Sequence, residues 1–143
     1  ASFLNAVLSI MNPASPQNQE YGRMAEQAAA DYLVSKGFVI RHRNWSPPSG
    51  HVEIDIVAQR GTLFAFVEVK ARSGTFTDPM AAVSPRKITL LTRAANAYLH
   101  TLQGPEADMA EARFDVIAVS GNAPLWNIEH IPDAFVPPIF TVH

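Results

Sequence analysis

From Val52 to Arg72 the chain reads Val-Glu-Ile-Asp-Ile-Val-Ala-Gln-Arg-Gly-Thr-Leu-Phe-Ala-Phe-Val-Glu-Val-Lys-Ala-Arg. Val, Ile and Phe fill both arms, and a glycine sits between them. The stretch therefore predicts a β-hairpin, with strands over about 52–59 and 62–71 and a turn at Arg60-Gly61. Such strands bury at least one face. Glu53, Asp55, Glu68 and Lys70 nonetheless interrupt the apolar runs, where an unpaired charge is costly.

With the turn centred on Arg60-Gly61, Gln59 faces Thr62, Asp55 faces Phe66 and Glu53 faces Glu68. Side chains alternate faces along a strand and opposed residues share one, so Glu53, Asp55, Glu68 and Lys70 emerge on a single side. Three carboxylates on one side repel each other. A divalent cation reverses that penalty, because hard cations take clustered carboxylate oxygens. The other reading is a structural ion pair of Lys70 with Glu68 or Asp55, which a one-residue slip in register would favour.

Asp55 followed by Glu68-x-Lys70 on the next strand resembles the PD-(D/E)xK nuclease signature. The wider wording, Glu-Ile-Asp-Ile-Val-Ala and Phe-Val-Glu-Val-Lys-Ala-Arg, is similar to the YraN-like family of bacterial proteins. The likeness continues through Gly37-Phe38, Arg43-Asn44-Trp45, Ala112 to Val116 and Ile128 to Ile131. It implies a restriction-endonuclease-like fold related to Holliday-junction resolvases. It also implies a metal-dependent nuclease acting on DNA, branched or junction DNA among its substrates. Asp55 and Glu68 would hold Mg²⁺ or Mn²⁺ with a main-chain carbonyl near Val69. Lys70 would orient the attacking water or neutralise the transition state. Glu26 matches the first-helix Glu of resolvase-like nucleases, and Glu26 and Glu53 rank second as ligands or bases. The chain departs from the family where Val52 stands in place of a glycine before the Glu-Ile-Asp triplet. That departure adds His51 to the approach to the hairpin, as an imidazole that could touch phosphate.

The chain has 143 residues and no cysteine. That suits one domain with a proper core and excludes disulfides, thiolate metal sites and a thiol nucleophile. Any metal is then held by oxygen or imidazole. The formal net charge is −2, but the window from Lys36 to Arg93 holds nine Lys or Arg against four acids. Three of those acids are the hairpin carboxylates, so basic residues gather around the suspected site, as phosphate binding requires. Arg41, Arg43, Arg72, Arg86 and Lys87 are the candidate nucleic-acid contacts.

The apolar start, Ala1 to Met11, lacks a basic leader and is too short to span a bilayer, which points to a cytoplasmic protein without a membrane partner. Residues 1–18 read as this segment plus a Pro/Asn/Gln linker, with the nuclease-like domain over 19–136 and a tail over 137–143. The apolar segment suits docking on the domain or on a second copy as a homodimer.

A helix is expected over about 17–36, with Ser15 as cap and Met24, Ala25, Ala28, Ala29, Tyr32 and Leu33 as its apolar stripe. A strand follows over 37–44, with Phe38 and Ile40 inward and Arg41 and Arg43 outward. Ser84 and Pro85 open a second long helix. Its first turn carries Arg86 and Lys87 against the helix dipole, which makes better sense where an anion binds. Glu106 to Glu111 reads as an acidic loop. Strands are expected over Ala112–Ser120 and Leu125–Ile131, and Phe135, Ile139 and Phe140 can pack on the core. The order α-β-β-β-α-β-β is that of an α/β domain, a mixed sheet flanked by two long helices. Besides the nuclease, two further functions fit: a nucleic-acid-binding module without turnover, and a structural interaction protein.

Overall fold

The computed structural model describes residues 16–72 and 83–135. Helix α1 (Pro16–Ser35) is followed by strands β1 (Val39–Trp45), β2 (Ile54–Arg60) and β3 (Leu63–Arg72). Helices α2 (Pro85–Leu99) and α3 (Gly104–Met109) then precede strands β4 (Glu111–Asn122) and β5 (Leu125–Ile131). The five strands form one sheet in the order β1-β2-β3-β4-β5. Only β3 and β4 run parallel. A parallel pair needs a crossover, and the β3–β4 connection supplies it through α2. The expected α/β architecture, with a mixed sheet between two long helices, is the one observed. Its order is consistent with a restriction-endonuclease-like fold.

Each long helix covers one face of the sheet. Ala25, Ala28, Ala29 and Leu33 of α1 pack with Ile56, Ala58, Ala65, Val67, Ile117 and Val119. Leu91, Ala94, Ala95 and Tyr98 of α2 pack with Val57, Phe64, Phe66 and Phe114. The small alanines let α1 approach the sheet closely. Tyr98 is the hub of the other layer, with its ring within about 6 Å of those of His42, Trp45, Phe64 and Phe66. Phe135 stacks on Phe114 and closes that layer, as expected. Ile139, Phe140, Ser15 and the apolar N-terminal segment lie outside the described residues.

Local punctuation follows the sequence closely. Helix α1 ends in a Schellman motif: the Phe38 N–H donates to the Leu33 carbonyl and the Gly37 N–H to that of Val34, both at 3.0 Å. Gly37 takes φ +92° there, a conformation that favours glycine. Ser84 caps α2 by accepting a 3.1 Å hydrogen bond from the Lys87 N–H, with Pro85 in the first turn.

Four expectations need correction. The hairpin turns at Gly61-Thr62, not Arg60-Gly61, and its pairs run from Arg60↔Leu63 to Ile56↔Val67. Gly61 takes φ +62° in this turn, and the two-residue change in pairing leaves every side chain on its expected face. Of the expected acidic loop, residues 106–109 belong to the short helix α3, with Pro105 in its first turn, and Glu111 opens β4. Met24 is 42% exposed, outside the apolar stripe. Arg41 does not face solvent freely: a bulge between Ile40 and His42 lays its guanidinium over the Phe64 ring.

At the β4–β5 side a buried charge network holds the sheet. Asp115 is fully buried and accepts hydrogen bonds from Arg113 Nε (2.8 Å) and Nη2 (2.9 Å), the Asp133 N–H (3.0 Å) and His130 Nε2 (2.8 Å). His130 Nε2 donates to this carboxylate, so in the neutral ring Nδ1 accepts from the Tyr32 hydroxyl at 3.2 Å. Burial pushes the Asp115 carboxyl upward. The hydrogen bonds from Arg113, Asp133 and His130 and the Arg113 charge outweigh burial and hold it below the ordinary carboxylate range.

The network's stabilisation is therefore full above the ordinary Asp pKa and lost as pH falls through the lowered one. Asp115→Ala strands Arg113 and His130 and should cost about 3–5 kcal/mol at neutral pH. Urea unfolding at neutral and acidic pH checks this, and the deficit should shrink as the wild type is acidified.

Candidate functional site

The ladder of β2 and β3 fixes the site. It runs to Ile56↔Val67, and just beyond it the Asp55 carboxyl hydrogen-bonds to that of Glu68. Glu68 lies on the α2 side of the sheet with Phe64 and Phe66, where Lys87 reaches it. Asp55 Oδ2 accepts the Val69 N–H at 2.8 Å, which ties its carboxyl across to β3. Glu68 is 4% exposed, and its Oε2 receives Lys70 Nζ at 3.2 Å and Lys87 Nζ at 2.6 Å.

Two adjacent carboxylates, one buried and one half-buried, do not both ionise easily. Burial, and then the Glu68 charge, push the Asp55 carboxyl up to about 8. The Val69 N–H pulls the other way, while a hydrogen bond to Glu68 and the Glu26 charge add to the rise. Asp55 is thereby held toward its protonated form near neutral pH.

Glu26 comes in from α1 and Glu53 from the segment before β2. Asn44 joins them, its Nδ2 donating to Glu26 Oε2 at 3.3 Å and to Glu53 Oε1 at 3.1 Å. Asn44 takes φ +51°, which an Asn tolerates better than most residues. Glu53 is exposed and precedes the strand, so it does not face Glu68 as the expected register had it. Asp55 takes that position. Glu26 also pairs with Arg43 at 3.4 Å.

The structure thus brings Asp55, Glu68, Lys70 and Lys87 together and leaves Glu26, Glu53, Asn44 and Arg43 as an adjoining group. The Val69 main chain lies at the junction. Among the described residues no three His, Asp or Glu side chains are gathered into a ready metal cage. The donors present are carboxylate oxygens, the type that suits a hard divalent cation, and a bound cation would offset the burial and the Glu68 charge that raise the Asp55 carboxyl.

The expected phosphate contacts separate into groups. Arg41 is committed to Glu106 at 3.0 Å and to Gln59, nearer the turn end of the hairpin. Arg72 is exposed at the end of β3, where the Tyr21 hydroxyl reaches its carbonyl and that of Gly121, both at 2.7 Å. Arg86 is exposed on the first turn of α2. Lys87, beside it, belongs to the carboxylate pair.

Sequence reasoning missed that role of Lys87 and the bridging by Asn44. The signal for Lys87 was its position three residues after the cap Ser84. The first turn there meets the sheet, and a cation in it needs an anion.

Residues 25–119 match the Uncharacterised protein family UPF0102. A UPF0102 protein of Bacteroides fragilis is 46% identical over 120 residues, covering 83% of this chain and 94% of that protein. The chain belongs to UPF0102. A second UPF0102 protein, from Bacteroides thetaiotaomicron, is 44% identical over 125 residues, covering 87% of this chain and 98% of its own length. One from Myxococcus xanthus is 41% identical over 129 residues, covering 87% and 97%. The YraN-like likeness of the hairpin is therefore family membership. The UPF0102 match spans the whole hairpin and α2, and so every member of the carboxylate–ammonium group.

The raised Asp55 pKa gives a pH signature. The folded chain holds this proton more tightly than the unfolded chain, so stability falls as pH rises from the ordinary Asp range toward 8 and levels off above it. Asp55→Asn should remove that decline and be the more stable protein at pH above 8, by about 1–3 kcal/mol. Urea midpoints across that range check it.

Proposed function

We propose that this UPF0102 protein is a metal-dependent hydrolase of phosphodiester bonds in DNA. The observation that carries the reading is the contact of the Asp55 and Glu68 carboxyls at the end of the β2–β3 ladder, with the Lys70 ammonium on Glu68 at 3.2 Å. Asp55, Glu68 and the main-chain carbonyl at Val69 would hold Mg²⁺ or Mn²⁺, with Glu26 and Glu53 behind them. When bound, such an ion supplies positive charge that polarises the phosphodiester and eases activation of water.

The chain's own groups do the remainder. Lys70 neutralises charge that develops on the phosphate oxygens, an interaction stronger in the transition state than in the ground state. The buried sheet on one side of the pair limits its solvation and strengthens these interactions. Asn44 holds Glu26 and Glu53 apart from the pair yet within its field, positioned to accept a proton through water.

A second reading has its own support. Both ammoniums already lie on Glu68, so the protein neutralises that carboxylate without a cation. This arrangement suits a nucleic-acid-binding module of the same fold that performs no turnover.

Lys70→Met separates the two. Lys87 still pairs with Glu68 in the variant, so no buried carboxylate is stranded and stability should fall by no more than about 1 kcal/mol. Cleavage of single-stranded, duplex, flap and junction DNAs with Mn²⁺ should fall at least about 100-fold. A wild type that cuts none of these substrates, or a variant that cuts as well, contradicts the hydrolase reading.

A further inference from the structure

A cleft of about 420 Å³ lies on the solvent side of α2, lined by His51, Arg86, Thr89, Leu90 and Arg93. Positions 86, 89, 90 and 93 recur at helical spacing, so one face of α2 forms one wall and the loop before β2 brings His51 to the other. Arg86 and Arg93 stand two turns apart, roughly 10 Å along the axis. Both are exposed.

Neither arginine is paired among the described residues. Arg23, Arg41, Arg43, Arg113, Lys70 and Lys87 all sit in ion pairs. Among the described residues Arg86 and Arg93 enter no ion pair or hydrogen bond through their side chains, and His51 enters none either. Unneutralised like charges that converge on one concavity repel each other and gain when an anion enters. The cleft adjoins the carboxylate pair along the chain: Lys87, next to Arg86, holds Glu68, and His51 lies four residues before Asp55.

We propose that this cleft binds the sugar–phosphate backbone of a single nucleic-acid strand, with Arg86 and Arg93 on separate phosphates and His51 as a further donor. The proposal rests on the phosphodiester reading above, since it delivers a strand to the Asp55–Glu68 pair. Among the described residues the cleft is lined by no Phe, Tyr or Trp on which a base could stack, so these residues read backbone and not sequence.

The test is fluorescence anisotropy of a labelled single-stranded oligodeoxynucleotide, in chelator so that cleavage does not intervene. At low salt the wild type should bind, and R86Q/R93Q should bind at least about tenfold more weakly. Its log–log salt slope should be shallower by about 1.4, since each phosphate of a single strand that goes unneutralised removes about 0.7. K36Q/R60Q, which removes the same charge near the turn end of the hairpin, should bind as the wild type does. An abasic oligonucleotide of equal length should bind within about twofold, because the cleft stacks no base.

Equal binding by R86Q/R93Q, an equal weakening in K36Q/R60Q, a strong preference for bases over abasic strand, or no wild-type binding overturns the proposal. Single Arg86→Gln and Arg93→Gln variants, each with part of the weakening and an unchanged melting temperature, separate binding from folding. A wild type that binds through this cleft but cuts nothing with Mn²⁺ retains the cleft and removes the hydrolytic reading alone.

Discussion

The contact between Asp55 and Glu68 across the β2–β3 ladder organises the end of the sheet where the candidate site lies. The hairpin register sets it, and the apolar faces set the register. A slip of one residue would turn Val57 and Phe66 away from α2 and force them into the alanine-lined layer of α1. The two core layers therefore fix the distance between two carboxylates more firmly than any interaction the carboxylates make themselves. The burial of Asp55, and after it the Glu68 charge, is a cost carried by that packing, and it appears as the raised Asp55 pKa.

Two ammoniums answer that cost, and they come from different elements. Lys70 rises from the same strand as Glu68, so its place follows from β3 alone. Lys87 arrives from the first turn of α2, whose position depends on Leu91, Ala94, Ala95 and Tyr98 seating on Phe64 and Phe66. The site is thus coupled to helix docking. At the other side of the sheet the Asp115 network ties β4 to β5 and, through Tyr32, to α1. The two aspartates have opposite fates for a physical reason. Asp115 meets four donors and stays ionised, whereas Asp55 meets one main-chain N–H and a second carboxylate.

Much of this was legible in the sequence where local chemistry decides. Gly37, Ser84 and Pro85 mark helix ends because their φ preferences and capping oxygens act within a few residues. The alternation of Ile56, Val57, Ala58 and of Phe64, Ala65, Phe66 fixed which side chains share a face. The convergence of Asp55, Glu68 and Lys70 followed even though the turn sits one residue later than the Arg60-Gly61 pair suggests. What stayed hidden depends on contacts distant in the chain. The Arg113–Asp115–His130–Tyr32 cluster joins three elements far apart in sequence, and nothing in the spacing of those residues announces it. Lys87 reads as a phosphate contact in the sequence because its partner, Glu68, lies on β3, distant in the chain. Arg41 reads as outward because the bulge beside it leaves no mark in the residue pattern.

Uptake of a divalent cation by the carboxylate pair is the property on which the assigned chemistry depends. Titrating Mn²⁺ into the protein and counting free ion by electron paramagnetic resonance measures this without any substrate. One Mn²⁺ should bind per chain. Asp55→Asn and Glu68→Gln should each weaken it by about 10-fold or more, and Asp115→Asn should leave it unchanged. Mn²⁺ binding that is absent in the wild type, or that survives both substitutions undiminished, would contradict the assignment of the site.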